Sequence, residues 1–372
     1  MKTKFFLNIF TLTFLLVAAF FLPITTFAQE SSTASEQTME AKIIKVLEEK
    51  SINTENGSEQ LYQKLEMEIT SGPRKGNVVK IENGNVPVAN PQRYKVNDKL
   101  IVNYSKNYQG ADSYYIADYV RRDGLLLLFV IFVIIAILVG RWHGLSSLVG
   151  MALSFVVIFK FILPQIMQGQ DPIMIATIAA LAIVPTTFYL SHGLNKKTTI
   201  AIGGTIAALI ITGLLAEIFV EVTNLTGFAS EEASYLQTIN STSINIKGLL
   251  LAGIIIGGLG ILDDVTISQA AIVAQLKEAA PKSKFIDLYN RAMKIGRDHI
   301  ASVVNTLVLV YASAALPLLL LFIDSPKPFS EVINYELIAT EIVRTLVASI
   351  GLVMAVPITT LLSALVFAKN KN

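Results

Sequence analysis

The sequence has no cysteine and only three histidines (His143, His192 and His299), and these shortages exclude several kinds of chemistry. Without cysteine there is no disulfide, no thiolate nucleophile and no cysteine-ligated zinc or iron–sulfur site. A histidine-rich metal centre is not expected either, and no phosphate loop, nucleophile elbow or zinc-binding helix motif occurs. We therefore expect a protein that is not an enzyme and that needs no cofactor.

Charged residues are also scarce, at 16% of the chain against 53% hydrophobic residues, with a mean hydropathy of +0.57. This composition is typical of an integral membrane protein. The formal net charge is +2, and the basic residues lie between apolar runs. We therefore expect the chain to contact the lipid bilayer and not to bind a nucleic acid.

Residues 1–28 have the pattern of a secretory signal peptide. Lys2 and Lys4 precede an apolar stretch at residues 5–22, and Thr26-Phe27-Ala28 fits a small-residue cleavage site. The apolar stretch is long for a signal, so an uncleaved anchor is the alternative. Either interpretation places the following residues outside the cytoplasm.

Residues 29–122 are polar and contain short runs of alternating hydrophobicity. In one run Leu65, Met67 and Ile69 would share one face of a half-buried strand. Glycine, proline and asparagine residues between the runs favour turns. The pattern predicts a small extracytoplasmic β-rich domain, a barrel of OB-like or SH3-like type. The five predicted strands are residues 41–47, 61–70, 76–81, 99–104 and 114–120.

Residues 123–372 contain seven apolar runs, most of them near the roughly 20 residues that a membrane-spanning helix needs. The fifth run is the shortest and reaches that length only if flanking residues enter the interface. We therefore predict an α-helical integral membrane domain of about seven transmembrane helices. The predicted spans are residues 124–139, 145–163, 172–190, 198–220, 248–262, 300–323 and 337–367.

The loops between these runs differ in basic content. With the β-rich domain outside, the inner loops hold most of the lysines and arginines, while Lys247 and Lys327 are the exceptions on the outer side. This asymmetry follows the positive-inside rule. It predicts a multi-pass protein of the cell membrane, with an extracytoplasmic N-terminal domain and a cytoplasmic C-terminus.

Two motifs on neighbouring spans carry a resemblance to a known family. One is Gly-Ile-Leu-Asp-Asp-Val-Thr-Ile-Ser-Gln at residues 260–269, and the other is Gly-Arg-Asp-His-Ile-Ala-Ser-Val-Val-Asn-Thr-Leu at residues 296–307. Followed by Leu316-Pro317-Leu318-Leu319-Leu320, they resemble the YibE/F family of bacterial membrane proteins. The resemblance covers the membrane domain, and a β-rich segment before it is also similar to the family. It implies a multi-span membrane protein and suggests a permease.

Two adjacent carboxylates, Asp263 and Asp264, lie at the predicted inner end of the fifth span, where the helix dipole disfavours them. In one interpretation Asp264 caps a following helix, with Thr266 and Gln269 forming a capping box. In the other, the helix unwinds at residues 257–260 and its carbonyls join the carboxylates in an ion or proton site. Both interpretations stay open at this stage.

A second polar group opens the predicted sixth span. Asp298 is suited to cap that span, and His299 is either an imidazole whose charged form a neighbouring aspartate would favour or an ordinary residue of the membrane interface. Asn305 lies about two turns deeper and either continues a polar pathway or bonds a neighbouring helix. The predicted inner ion or solute site therefore comprises Asp263, Asp264, Asp298, His299 and Asn305.

Five charged residues share a similar predicted depth on the outer side: Lys160, Glu217, Glu221, Glu341 and Arg344. One interpretation is ion pairing across helices, with Lys160 and Arg344 reaching the interface. The other is an outer gate, or a mouth for a charged solute.

The segment 264–298 is basic and partly amphipathic, with Pro281 predicted to stop one helix and residues 285–295 to resume another. We expect it either to lie on anionic lipid at the cytoplasmic surface or to be a solvated basic loop. Two functions follow from the sequence. The first is a permease or channel-like protein for a small solute or ion; the alternative is a non-transporting membrane component whose β-rich domain binds an envelope partner.

Overall fold

The computed structural model describes residues 37–53, 59–85, 92–106, 111–239, 244–323 and 327–369. The predicted signal at residues 1–28 lies outside them. The chain divides into two compact units, one with the described residues up to Ile135 and one with those from Ala136 onward. The division falls inside the first described helix.

The first unit contains a five-stranded antiparallel sheet in the order β3-β2-β1-β4-β5. All five predicted strands are confirmed. Leu65, Met67 and Ile69 are fully buried, as their alternation predicted. Edge strands β3 and β5 approach each other, so the sheet curves into a half-barrel around this core. The strands are β1 (Gln37–Asn53), β2 (Glu59–Ser71), β3 (Val78–Asn83), β4 (Lys99–Lys106) and β5 (Asp112–Tyr119).

Polar contacts hold segments of the half-barrel together at two places. The buried Gln63 amide donates to the Tyr94 carbonyl at 2.9 Å and accepts from the Tyr94 N–H at 2.8 Å, which pins the segment before β4 to β2. Near the open edges, Arg74 donates to Asp112 at 2.5 Å and stacks over the Tyr104 ring at 3.9 Å. The Arg74 hydrogen bond holds the pKa of Asp112 below its usual range.

Ten described α-helices follow the sheet. A π-helical turn, Ile158–Ile162, separates the first two. The helices are α1 (Arg122–Val157), α2 (Leu163–Met167), α3 (Pro172–His192), α4 (Lys196–Val222), α5 (Glu231–Ile239), α6 (Ile246–Ala279), α7 (Phe285–Ala314), α8 (Leu316–Ile323), α9 (Phe329–Val332) and α10 (Glu336–Lys369).

Helix α1 is interrupted at Arg141, whose φ of 49° is incompatible with a helix. The chain turns tightly there, and a Cβ on Gly144 would lie 2.0 Å from the Ala136 carbonyl oxygen. The turn therefore requires glycine at position 144. The break lies between the first two predicted spans.

Helix α6 corrects two expectations about the carboxylate pair. It runs without interruption from Ile246 to Ala279, so the chain does not unwind at residues 257–260. No new helix starts after Asp264, so the capping interpretation is wrong as well. Buried Leu262 and Val265 flank the pair and continue the core-facing stripe, which explains why the helix persists.

Helix α7 likewise begins earlier than the predicted sixth span. It starts at Phe285, after the turn that contains Pro281, as the amphipathic pattern predicted. Asp298 therefore lies within the helix and caps nothing, which corrects its predicted role.

Five described helical stretches are long and apolar enough to cross a membrane, which makes this a membrane-embedded protein of several helices. One of them, Arg122–Met167, contains the first two predicted spans. The predicted sixth span, divided here between α7 and α8, is not among the five. Besides Arg122–Met167, the stretches long and apolar enough to cross a membrane are α3, α4, α6 and α10.

Helices α4, α6 and α10 form the centre of the helical unit, since each packs extensively on the other two. Small residues allow this close approach. Gly204 lies against Thr359, and Gly351 lies against Thr212. Helices α3 and α7 pack on this three-helix core from outside it.

Candidate functional site

The three-helix core contains ten buried polar side chains, none more than 7% exposed. We call them the polar track. All of them carry a hydroxyl group except one, which carries an amide. They are Thr198, Thr205 and Thr212 on α4, Thr266 and Gln269 on α6, and Thr340, Ser349, Thr359, Thr360 and Ser363 on α10.

The track is longest on α10 and shorter on α4 and α6. On α10 it runs from Thr340 to Ser363, a rise of about 35 Å at 1.5 Å per residue. The hydrocarbon core of a bilayer is about 30 Å thick. Thr212 packs against Gly351, between Ser349 and Thr359, and so helps to fill the longest interval on α10. The track is therefore long enough to cross a membrane.

Hydrogen bonds join parts of the track across helices. The Thr205 and Thr266 hydroxyls are 2.7 Å apart. The Gln269 amide nitrogen donates to the Thr360 hydroxyl at 2.7 Å and to the Ala292 carbonyl on α7 at 3.1 Å. Gln269 thus links three helices, although the sequence suggested a helix cap for it.

Several polar atoms of the core have no hydrogen-bond partner among the described residues. A buried polar group left unpaired costs about 1–3 kcal/mol, so such groups are few in most proteins. Pro357 has no N–H, so it cannot donate a hydrogen bond to the Val353 carbonyl one helical turn earlier. That carbonyl therefore has hydrogen-bonding capacity that the helix does not use. The unpaired atoms are Thr198 Oγ1, Asp263 Oδ1, Gln269 Oε1, Thr340 Oγ1, Ser349 Oγ, Thr359 Oγ1 and Ser363 Oγ.

Two glycines lie directly against threonine side chains of the track. A Cβ on Gly351 would lie 2.0 Å from Thr212 Oγ1, and a Cβ on Gly204 would lie 2.2 Å from Thr359 Oγ1. These positions therefore exclude any side chain larger than hydrogen.

The two predicted carboxylates of α6 have different surroundings. Asp263 is half-buried, with one carboxylate oxygen unpaired, and lies one turn before Thr266 of the track. Asp264 is exposed and lies within electrostatic range of His192. Lys197 and His143 also lie within electrostatic range of that histidine. Asp263 is thus the acidic group next to the track, while Asp264 faces the ends of α3 and α4.

No hydrogen bond among the described residues joins Asp298 or Asn305 to Asp263. Both residues are exposed on α7, whose core-facing stripe contains Leu307 and the partly buried Ile300. His299 is half-buried, and no hydrogen bond or ion pair to a carboxylate is seen for it within the described residues. Within that part of the chain no group of three histidine, aspartate or glutamate side chains is arranged to hold a metal ion.

The predicted outer cluster resolves into separate parts. Glu221 on α4 pairs across helices with Lys247 on α6. Glu341 pairs with Arg344 one turn further along α10, at 2.7 Å. The two remaining members, Lys160 and Glu217, are exposed and form no ion pair with a described residue.

A further carboxylate, Glu336, was not singled out in the sequence. It accepts hydrogen bonds from the Thr226 N–H at 2.6 Å and from the Gly227 N–H at 2.9 Å. It thereby ties the start of α10 to the loop that follows α4. The separation of 110 residues left no local signal for this contact.

The polar track was also missed in the sequence, although part of it left a signal. Thr198, Thr205 and Thr212 recur every seven residues, which places them on one helical face. Isolated hydroxyls in apolar helices commonly bond their own backbone, as Thr212 does to Ala208 at 2.9 Å. The spacing alone therefore did not distinguish a shared polar core from local packing.

Comparison with known proteins identifies two matching family models. The YibE/F-like protein model matches residues 128–369, and the YibE/F family N-terminal domain model matches residues 34–119. Neither the curated proteins nor the solved structures contain a match to the chain.

Proposed function

The chain belongs to the YibE/F family, and from this premise and the polar track we propose that it is a permease or channel-like protein for a small solute or ion. The proposed role is transport and not catalysis. The observation that carries it is the run of buried hydroxyl and amide groups through the three-helix core, several of them unpaired. A transported species would supply the missing hydrogen bonds as it passes.

The chemistry of the track favours a small cation or a proton over an anion. Its polar groups are hydroxyls and one amide, none of its ten residues is basic, and the Asp263 carboxylate lies one helical turn before Thr266. Oxygen ligands of this kind suit hard cations. An ionisable residue beside a membrane-embedded polar path is a natural binding or relay point.

Flux through reconstituted liposomes tests this proposal. We expect wild-type protein to carry a cation or proton flux that Asp263→Asn reduces at least tenfold, because the substitution removes the charge beside the track. Asp264→Asn is the matched control, since it removes the adjacent, exposed carboxylate and should leave most of the flux. Absence of flux under every cation and proton gradient, with both variants folded, would overturn the transport role.

We further propose the seven-span arrangement with the β half-barrel outside and the C-terminus inside. The basic asymmetry of the loops and the break at Arg141, which allows the first long helical stretch to cross twice, support it. A cysteine introduced as Ser283→Cys, in the turn between α6 and α7, should react from the cytoplasmic side only. Reaction from outside intact cells would reverse the orientation.

A second candidate function rests on the half-barrel. Its order β3-β2-β1-β4-β5, with the two edge strands close but not hydrogen-bonded, suits a partly open OB-like barrel. Open strand edges accept extended segments of other proteins. In this alternative the unit binds an envelope protein. A stable partner that co-purifies with the full chain, and is lost when residues 29–118 are deleted, would favour it over transport.

A further inference from the structure

A groove lies between α3, α4 and α6, outside the polar track. Its volume is about 320 Å³, near the lower end of the range of about 300–1,000 Å³ typical of small-ligand sites. Nearly all of its lining is aliphatic, with Leu181, Leu209, Leu214 and Ile255 among the larger side chains. None of the ten track residues lines it. The groove is therefore a separate apolar feature of the helical unit.

The length of the groove matches one leaflet of a membrane. Its lining on α4 runs from Ile206 to Glu217, a rise of about 16 Å. This is about half of the 30 Å hydrocarbon core. Gly213 widens it, because a Cβ there would meet only ordinary contact with Ile255, at 3.9 Å. A single extended hydrocarbon chain fits a space of this shape.

One carboxylate stands out among the apolar lining. Of the two polar side chains in the groove, Thr177 already donates its hydroxyl to the Ile173 carbonyl at 2.8 Å. The other, Glu217, has no basic partner among the described residues. The next carboxylate on the same helix, Glu221, is paired with Lys247. The charge of Glu217 therefore remains available to a cationic group from outside the chain.

We propose that this groove binds one acyl chain of a membrane lipid and that Glu217 binds a primary amine in the headgroup of that lipid. Glu217 lies at the end of the groove where α4 finishes and α3 begins, as an interfacial headgroup requires. A carboxylate at that position favours an ammonium group and repels a headgroup that carries only negative charge. The occupant is thus an aminophospholipid, and the site is independent of the transport proposal.

Native mass spectrometry of the full chain, titrated with phosphatidylethanolamine or phosphatidylglycerol of identical acyl chains, tests the headgroup assignment. Wild type should bind the amine lipid more tightly. Glu217→Gln should reduce its affinity for that lipid about tenfold, the effect of losing one charge-assisted hydrogen bond. Glu221→Gln is the matched control, since it makes the same change one turn away and should preserve the preference.

A second pair of variants tests the groove itself. Gly213→Leu fills the space and should weaken binding of both lipids at least tenfold, while Gly203→Leu, on the same helix outside the groove, should not. Unchanged binding in Gly213→Leu would show that lipid binds elsewhere. Equal affinity of the wild type for the two lipids, or an unchanged preference in Glu217→Gln, would overturn the assignment of the amine.

Discussion

The two units of this protein treat buried polar groups in opposite ways. In the β half-barrel, the buried amides of Gln60 and Gln63 reach backbone carbonyls at 2.9 Å. In the helical unit, Gln269 and several buried hydroxyls retain unpaired oxygens. All seven unpaired atoms among the described residues belong to the helical unit. The buried polar groups of the half-barrel are therefore paired within the fold, whereas several of those in the helical core retain unused hydrogen-bonding capacity.

The largest effect on stability should come from overpacking the contact between α4 and α10. Gly351→Ala would place its Cβ 2.0 Å from Thr212 Oγ1, and overpacking of this kind should lower the free energy of unfolding by about 3 kcal/mol. Gly260→Ala is the matched control on α6, where no atom lies within 4 Å of the added Cβ. Thermal unfolding of the two variants in detergent measures the difference. Equal stability would mean that the helices pack more loosely than described.

A pair of glutamine substitutions sharpens the contrast between the units. Gln63→Met would leave the buried N–H and carbonyl of Tyr94 unpaired, which should destabilise the half-barrel by about 2–3 kcal/mol. Gln269→Met should change stability by less than about 1 kcal/mol. Its partners keep other bonds, since the Thr360 hydroxyl also donates to Val356 at 2.7 Å and the Ala292 carbonyl lies within a helix. Hydrogen exchange of the full chain, read separately in each unit, distinguishes the two outcomes.

Removing an unpaired hydroxyl should stabilise the helical unit slightly. Thr359→Val keeps the shape of the side chain and eliminates an oxygen without a partner, so we expect a gain of up to about 1 kcal/mol. Proteoliposome flux should fall at the same time. A loss of stability would indicate that the hydroxyl has a structural role after all. Thr360→Val, which removes a paired hydroxyl, should be destabilising instead.

The smallest effect concerns the acid stability of the half-barrel. Hydrogen bonds from Arg74 and then from Tyr104 lower the pKa of Asp112. Their stabilisation is therefore complete above about pH 4, near the unfolded pKa of aspartate, and is lost as the pH falls through the lower folded value. Asp112→Asn should lower the melting temperature of the half-barrel by a few degrees at pH 6. The same substitution should flatten the dependence below pH 4, as followed by circular dichroism, and Glu68→Gln on the exposed face of β2 should do neither.

The half-barrel could be predicted from the sequence because alternate residues of a strand face opposite sides, one towards the core and one towards solvent. Leu65, Met67 and Ile69 alternate with charged residues, and each run was recognisable alone. The length of α6 was missed because Asp263 and Asp264 are typical of a helix end in a membrane. Contacts of buried Val265 and Gln269 with other helices sustain that helix, and such contacts are not visible locally.

The polar track could not be predicted as a site because its members come from three separate helices. A threonine or serine within an apolar helix has the same sequence pattern whether it bonds its own backbone or faces a partner helix. Only the crossing of α4, α6 and α10 brings Thr205 to Thr266 and Gln269 to Thr360. The roles of the outer charges could not be predicted for the same reason. Glu221 pairs with Lys247 on another helix, whereas Glu217, one turn earlier on α4, lines a groove between three helices.

The absence of cysteine makes one direct measurement possible, the rate at which a single introduced thiol in the track reacts with a small water-soluble reagent. Thr359→Cys replaces a fully buried, unpaired hydroxyl, and Val356→Cys replaces a fully buried apolar side chain about one turn away. If the track opens to carry a hydrated solute, the thiol at position 359 reacts in proteoliposomes at least tenfold faster than the thiol at position 356. Equal rates, or no reaction at position 359, would contradict a transport path through the three-helix core.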